Sequence, residues 1–319
     1  MFEIVADEKS ILANFISSKY NKKIIKPRIK SFADSESFIY IKEFGELSKK
    51  NVLVFQQFNF QRQDNFEVDL INNQLFKFFL LCDFIKKLGA LKIFAFLPYL
   101  PYSRQDKVFN GKMEGAVTLI GNFFKVAQVD KLIVVDLHEP EIKKDFVIDL
   151  EEITMINFWS NFLQKMLSDC LQHDDICLVA PDEGRCQLVM RIAEILGLGF
   201  AYVEKRRVGV DQAVAIDLIG DVKDKISIII DDIIDTGKTA VSASQLLKKN
   251  GTKAILGCFT HCVMTQDSIE KIEKSNYTEI FVTDSVILND RIKNSNKINI
   301  VSINNLLYEH VEKIWKNLK

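Results

Sequence analysis

The six cysteines, at 82, 170, 177, 186, 258 and 262, include no C-x-x-C pair. Most lie inside apolar segments such as Ile176-Cys177-Leu178 and Gly257-Cys258-Phe259, so they read as small buried hydrophobes of a reducing compartment. Basic surplus is also missing: 42 Lys and Arg face 43 Asp and Glu, for a formal net charge of −1. That balance gives no electrostatic case for a nucleic-acid partner. The densest basic run, Lys22 to Lys30, is expected to be a solvated loop and strand edge. No apolar run approaches the roughly 18 residues of a membrane span. Met1–Glu8 carries acid where a signal peptide needs base and a long apolar stretch. A soluble cytoplasmic protein is therefore expected. No Gly/Ser linker or low-complexity stretch interrupts the chain, so any domains should pack closely.

What is present is enough for two cores. The 319 residues are 48% hydrophobic, and that length leans toward two domains. Short apolar runs at Val52–Phe55, Lys92–Leu97, Leu132–Val135, Cys177–Val179, Phe200–Val203, Ile226–Ile230 and Ala254–Phe259 predict buried strands. Between them, Leu75, Phe78, Phe79, Cys82 and Ile85 recur at helical spacing. Similar patterns predict helices over Ala116–Val126, Ile153–Leu171, Cys186–Leu196, Ala240–Leu247 and Leu306–Trp315. Alternating strands and helices imply an α/β fold, its parallel sheets covered on both faces. One such run ends near Asp136-Leu137-His138 and a second opens near Ile176.

The most informative stretch is Ile226-Ser227-Ile228-Ile229-Ile230-Asp231-Asp232-Ile233-Ile234-Asp235-Thr236-Gly237-Lys238-Thr239. A hydrophobic strand runs into acids, then a short loop, then a helix. In a parallel sheet this puts the acids at a strand's carboxyl end, where α/β proteins bind ligands. Free N–H groups, hydroxyls and the helix dipole favour a phosphate at Thr236–Thr239. Asp231 and Asp232 would instead accept hydrogen bonds from sugar hydroxyls. A P-loop is excluded, because its first glycine would fall on Asp232. Acids for a sugar beside a loop for its phosphate describe a pentose-phosphate site.

Further segments follow strands. They are Leu97-Pro98-Tyr99-Leu100-Pro101-Tyr102-Ser103-Arg104-Gln105-Asp106-Lys107, Asp136-Leu137-His138, Pro181-Asp182-Glu183-Gly184 and Lys205-Arg206-Arg207. Near the start lies Phe32-Ala33-Asp34-Ser35-Glu36. The proline and tyrosine pairs after Leu97 could hold a purine flat while Arg104 reaches phosphate oxygens. Gly184 would let backbone approach a diphosphate, and Asp182 could hold magnesium. His261 also follows a strand and reads as structural.

Together these segments, spread over roughly residues 30 to 284, resemble the ribose-phosphate pyrophosphokinases. The strand–acid–loop element resembles the phosphoribosyl signature of type I phosphoribosyltransferases generally. The resemblance implies two tandem type I phosphoribosyltransferase-like domains: an ATP side at 1–151 and a ribose 5-phosphate side at 152–302. It leaves the final helix, over 303–319, folding back onto the first. It implies transfer of the β,γ-diphosphoryl group of Mg-ATP to ribose 5-phosphate. Lys205 and Arg207 would be catalytic, with Arg207 also touching ribose 5-phosphate. Phe32, Asp34, Ser35, Glu36, Arg104 and Gln105 would bind ATP. Asp231, Asp232, Asp235, Thr236, Gly237, Lys238 and Thr239 would bind the sugar phosphate, and His138 and Asp182 would hold Mg2+. A homo-oligomer is also implied, with the ATP site at a subunit interface.

Departures from the family pattern are Asn73 and Lys77 in place of acids, and Arg185 and Lys238 in place of glycine. Ser35 also replaces a usual glycine, and Val108–Met113 is short. These bear on control by phosphate or nucleoside diphosphate more than on the chemistry. Two alternatives stay open: a nucleobase phosphoribosyltransferase, and a silent member that regulates an active partner.

Overall fold

The computed structural model describes residues 2–7, 9–60, 70–105, 115–168, 175–208, 213–264 and 267–317. Of the sequence expectations, Asp106, Lys107, Val108–Met113 and Cys170 lie outside these residues, as do the side chains of Lys205 and Arg207. Two compact units divide the chain. The first comprises Met1–Ile153, Ser285–Ile287 and Ile303–Lys319, and the second comprises Thr154–Asp284 and Leu288–Ser302.

In the first unit, strands β1 (Phe2–Ala6), β2 (Ile24–Ile25), β5 (Asn51–Phe55), β6 (Lys92–Phe96), β7 (Lys131–Val135) and β8 (Asp149–Ile153) form a parallel sheet ordered β2-β1-β5-β6-β7-β8. Strands β3 (Arg28–Ser31) and β4 (Ser37–Tyr40) make a separate antiparallel hairpin. Helices α1 (Ile11–Tyr20), α2 (Leu70–Lys87), α3 (Ala116–Val126) and α9 (Asn304–Asn317) supply the apolar faces. Phe78 and Phe79 of α2 meet Phe124 of α3 at ring separations of 6.2 and 5.0 Å. Trp315 of α9 packs edge-on to Phe2 at 4.6 Å. Burial of such rings is the dominant stabilising term here. His310 of α9 also lies 2.6 Å from Glu151 of β8, which Lys131 of β7 approaches at 2.5 Å.

The second unit carries β9 (Ile176–Ala180), β10 (Gly199–Val208), β11 (Ala213–Ile219), β12 (Ile226–Ile234), β13 (Ala254–Cys262), β14 (Glu279–Thr283) and β15 (Ile298–Val301). They form one sheet, ordered β11-β10-β9-β12-β13-β14-β15, parallel except where β11 pairs with β10. Its helices are α4 (Ile156–Leu167), α5 (Cys186–Leu196), α6 (Lys238–Lys249), α7 (Ser268–Glu273) and α8 (Asp290–Lys293). Trp159 of α4 is fully buried, and its Nε1 donates to Thr260 Oγ1 at 3.3 Å. Central strand β9 is buried at every residue, as expected for a parallel strand covered on both faces.

From β9 the chain steps one way to β10 and later the other way to β12. The strand order therefore reverses at β9, and the crevice outside its carboxyl end is where doubly wound sheets bind ligands. The α/β class and covered parallel sheets agree with the sequence reading. Among the described residues no helix is long and apolar enough to cross a membrane.

Candidate active site

The acids of the second unit sit at that switch point. Strand β12 runs further than the apolar run suggests. Pairing with β13 continues from Asp231↔Phe259 through Ile234↔Cys262, because β13 is itself long enough to offer backbone partners. Asp231 and Asp232 are thus strand residues, and the loop shortens to Asp235-Thr236-Gly237. Asp232 is 2% exposed. Arg185 meets it twice, Nη2 to Oδ2 at 2.7 Å and Nε to Oδ1 at 3.1 Å. The same Nε lies 3.5 Å from Asp231 Oδ1. Burial, reinforced by the Asp232 carboxylate, raises the Asp231 pKa well above the usual carboxylate range, while Arg185 pulls the other way.

The phosphate-binding expectation rests on the start of α6. Gly237 holds φ 73° and contributes no side-chain cap, a conformation glycine adopts without strain. Orphan N–H groups of the first helical turn are then available to an anion. Thr236 Oγ1 accepts from Lys238 N at 3.4 Å, and Thr236, Lys238 and Thr239 are exposed. Asp235 is half-buried.

On the β9 side, Asp182 caps the short 3-10 turn Glu183–Arg185, its Oδ1 accepting from Arg185 N at 3.3 Å. Strand β10 pairs with β9 only from Gly199 to Tyr202, whereas its pairing with β11 runs on to Val208↔Ala213. Lys205 and Arg207 therefore lie on a two-stranded ribbon that outruns β9 at its carboxyl end. The structure brings Asp182, Arg185, Asp231 and Asp232 to neighbouring strand ends, with the ribbon bearing Lys205 and Arg207 rising beside them.

In the first unit, the loop after β7 presents His138 at the surface. Asp136 is buried at φ 46°, and Leu137 N donates to Glu152 Oε1 at 3.0 Å. Phe32, Asp34, Ser35 and Glu36 form the exposed turn of the β3–β4 hairpin. Phe32 N donates to Glu36 O at 2.9 Å, and Glu36 N to Asp34 Oδ1 at 3.0 Å. Ser35 sits at φ 73°, the left-handed region that favours glycine. Asp34, Ser35 and Glu36 line an open pocket of about 790 Å³ with Asn73, Lys77 and Tyr102. Arg104 and Gln105 are exposed just beyond Tyr102.

One expectation about this loop is corrected. Tyr99 is 5% exposed and packs edge-on against Phe58 and Phe60 at 6.3 and 5.4 Å, so it is a core ring and cannot lie against a purine. Tyr102 instead donates its hydroxyl to Asn72. His261 is buried beside Asp284, as a structural residue would be. At the strand end that corresponds to the acids of β12, β5 runs into Gln56 and Gln57. Gln57 Oε1 accepts from Ser10 Oγ at 2.9 Å and Leu12 N at 3.3 Å.

Residues 3–127 match the family described as the N-terminal domain of ribose phosphate pyrophosphokinase, and residues 202–318 match the phosphoribosyl synthetase-associated domain. A ribose-phosphate pyrophosphokinase of Thermosipho africanus is 34% identical over 253 residues, spanning 78% of this chain and 77% of that protein. The chain belongs to the ribose-phosphate pyrophosphokinase family. A member from Fusobacterium nucleatum is 29% identical over 306 residues, covering 96% of this chain and 92% of its own. The crystal structure of phosphoribosylpyrophosphate synthetase from Mycobacterium smegmatis aligns with a TM-score of 0.87 at 25% identity, covering 99% of both chains.

In the sequence Arg185 stands out only as a departure from glycine. Its contact with both acids went unread. The signal was available: two adjacent acids after an apolar strand need a counter-charge, and an arginine behind a Pro-Asp-x-Gly loop on a neighbouring strand can supply it.

Proposed function

We propose that this enzyme moves the β,γ-diphosphoryl group of Mg-ATP onto the anomeric hydroxyl of ribose 5-phosphate, giving phosphoribosyl pyrophosphate and AMP. The observation that carries this reading is the pairing of acids on β12 with an uncapped α6 N-terminus at the switch point of the second unit. Asp231 and Asp232 take the sugar hydroxyls, and Asp235, Thr236, Gly237, Lys238 and Thr239 take its phosphate. Phe32, Asp34, Ser35, Glu36, Arg104 and Gln105 hold ATP, with the hairpin turn reaching a nucleotide on a neighbouring copy of the chain in a homo-oligomer.

In the reaction the anomeric oxygen forms a bond to the β-phosphorus. The bond between that phosphorus and the α–β bridging oxygen breaks, and its electron pair leaves with AMP. The hydroxyl proton passes to solvent. Charge accumulates on the transferring oxygens, so positioning and cations carry the catalysis. Lys205 and Arg207 meet that charge, and Arg207 also steadies the sugar phosphate.

His138 of the first unit and Asp182 of the second are each candidate magnesium ligands. An exposed imidazole and a carboxylate with one oxygen on a backbone N–H suit an ion that keeps few protein ligands and fills its shell with water and phosphate oxygens. Among the described residues no three His, Cys, Asp or Glu side chains gather into a complete cage. When bound, magnesium neutralises triphosphate charge. Free thiols at Cys82, Cys177, Cys186, Cys258 and Cys262 are in keeping with a cytoplasmic setting.

Equal amounts of AMP and phosphoribosyl pyrophosphate are expected from ATP and ribose 5-phosphate, with loss of both products when magnesium is chelated. No product at saturating substrates and magnesium would refute the reading. Lys238→Ala should raise the KM for ribose 5-phosphate by about 3- to 10-fold, a modest effect because an exposed cation is well screened. An unchanged KM would remove Lys238 from the phosphate site.

A further inference from the structure

We infer that Arg185 is a positioning residue for ribose recognition, its guanidinium holding the Asp231–Asp232 pair in the form that accepts the sugar hydroxyls. The inference rests on the reading above that these acids bind ribose. It concerns this chain's own chemistry, because a residue without charge at position 185 could supply no counter-ion to the two acids.

The geometry is that of a buried clamp. Arg185 is 6% exposed and Asp232 2%. Nη2 and Nε engage the two oxygens of Asp232 at 2.7 and 3.1 Å, and Nε approaches Asp231 at 3.5 Å. Backbone N–H of Asp232 donates to Asp231 Oδ1 at 2.9 Å, so the Asp231 carboxyl is held by the neighbouring backbone as well as by the arginine. Two like charges this close and this dry cannot both ionise without a cation. A planar guanidinium with several donors can serve both at once, where an ammonium could not. Arg185 also ties two elements together. Its backbone N–H donates to Asp182 at the end of β9, while its side chain grips the end of β12. The orientation of the sugar acids is thereby coupled to the loop that carries a candidate magnesium ligand.

Calorimetric titration of ribose 5-phosphate into the whole protein tests this without depending on turnover. Arg185→Met keeps the length and apolar stem but not the charge. It should weaken ribose 5-phosphate at least 10-fold while leaving ATP affinity within about 2-fold. Loss of the cation raises the Asp231 carboxyl pKa further, so the pH at which sugar binding is half lost should move upward. A purely structural arginine would not move that midpoint. Arg185→Lys should recover part of the affinity and return the midpoint toward that of the unaltered protein. Wild-type affinity and midpoint in Arg185→Met would overturn the inference alone. Failure of the unaltered protein to bind ribose 5-phosphate would overturn the functional reading with it. Should Arg185→Met not fold, Arg185→Lys decides: binding weakened about 3- to 10-fold supports the clamp, and unchanged binding overturns it.

Discussion

Lys205→Ala is expected to lower kcat by about 10²- to 10³-fold, the usual effect of removing one donor aimed at developing charge. The KM for ATP should stay within a few-fold. Lys205 is assigned to oxygens whose charge grows as the diphosphoryl group transfers, so its interaction strengthens between ground state and transition state. An interaction of that kind appears in kcat rather than in binding. Its place on the backbone suits the role. Lys205 pairs with Ile216 of β11, past the last β9 contact at Tyr202, on the ribbon that adjoins β9, across which lies β12. The check is steady-state kinetics at saturating ribose 5-phosphate and magnesium, with ATP affinity measured separately by titration. A variant with wild-type kcat would take Lys205 out of the chemistry. A variant whose loss lies wholly in the KM for ATP would recast it as a nucleotide-binding residue.

Legibility in the sequence followed burial. Strands β5, β6, β7, β9, β10, β12 and β13 were readable because a central parallel strand must be apolar on both faces. Edge and peripheral strands escaped, as did the short inner strands β1 and β14. All four residues of β3, Arg28–Ser31, are exposed, so no apolar period marks them. Strand β8 reads Asp-Leu-Glu-Glu-Ile, and its acids are matched by Lys131 on the neighbouring strand at 3.1 and 2.5 Å. That is information about pairing, which one segment read alone cannot carry.

The site divides along the same line. The proposed phosphate loop could be picked out, since strand, acids, glycine and helix follow one another in the chain. Tyr99 was misread because a tyrosine behind a proline looks like a loop residue until Phe58 and Phe60 are seen around it. The role of Arg185 was hidden for a related reason: its partners lie 46 and 47 positions away, on β12, while Arg185 sits in the turn that follows β9.

Gly220→Ala should cost roughly 3 kcal/mol and lower Tm by about 6–12 °C, combining backbone strain with overpacking. Gly220 closes β11 against the start of β10 at φ 115°, a conformation that side chains rarely adopt. An added Cβ would lie 2.7 Å from Ala201 Cβ, 2.8 Å from Ala201 Cα and 2.8 Å from the Phe200 carbonyl oxygen. Two of those three atoms are backbone, and Ala201 is paired to Val179 in the middle of the sheet, so none can swing aside. Relief would have to come from β11 itself, and that displaces the partner strand of the ribbon holding Lys205 and Arg207. A fall in kcat should therefore accompany the fall in Tm, although Gly220 is far along the chain from both residues. Gly45→Ala is the matched control. Its added Cβ meets nothing within 4 Å, so its stability should stay within about 0.5 kcal/mol of the parent. Thermal unfolding of both variants, with turnover measured well below Tm, separates the two effects. Wild-type Tm for Gly220→Ala would mean that β11 yields at no cost. A lowered Tm with unchanged kcat would mean that the register of the ribbon does not govern the chemistry.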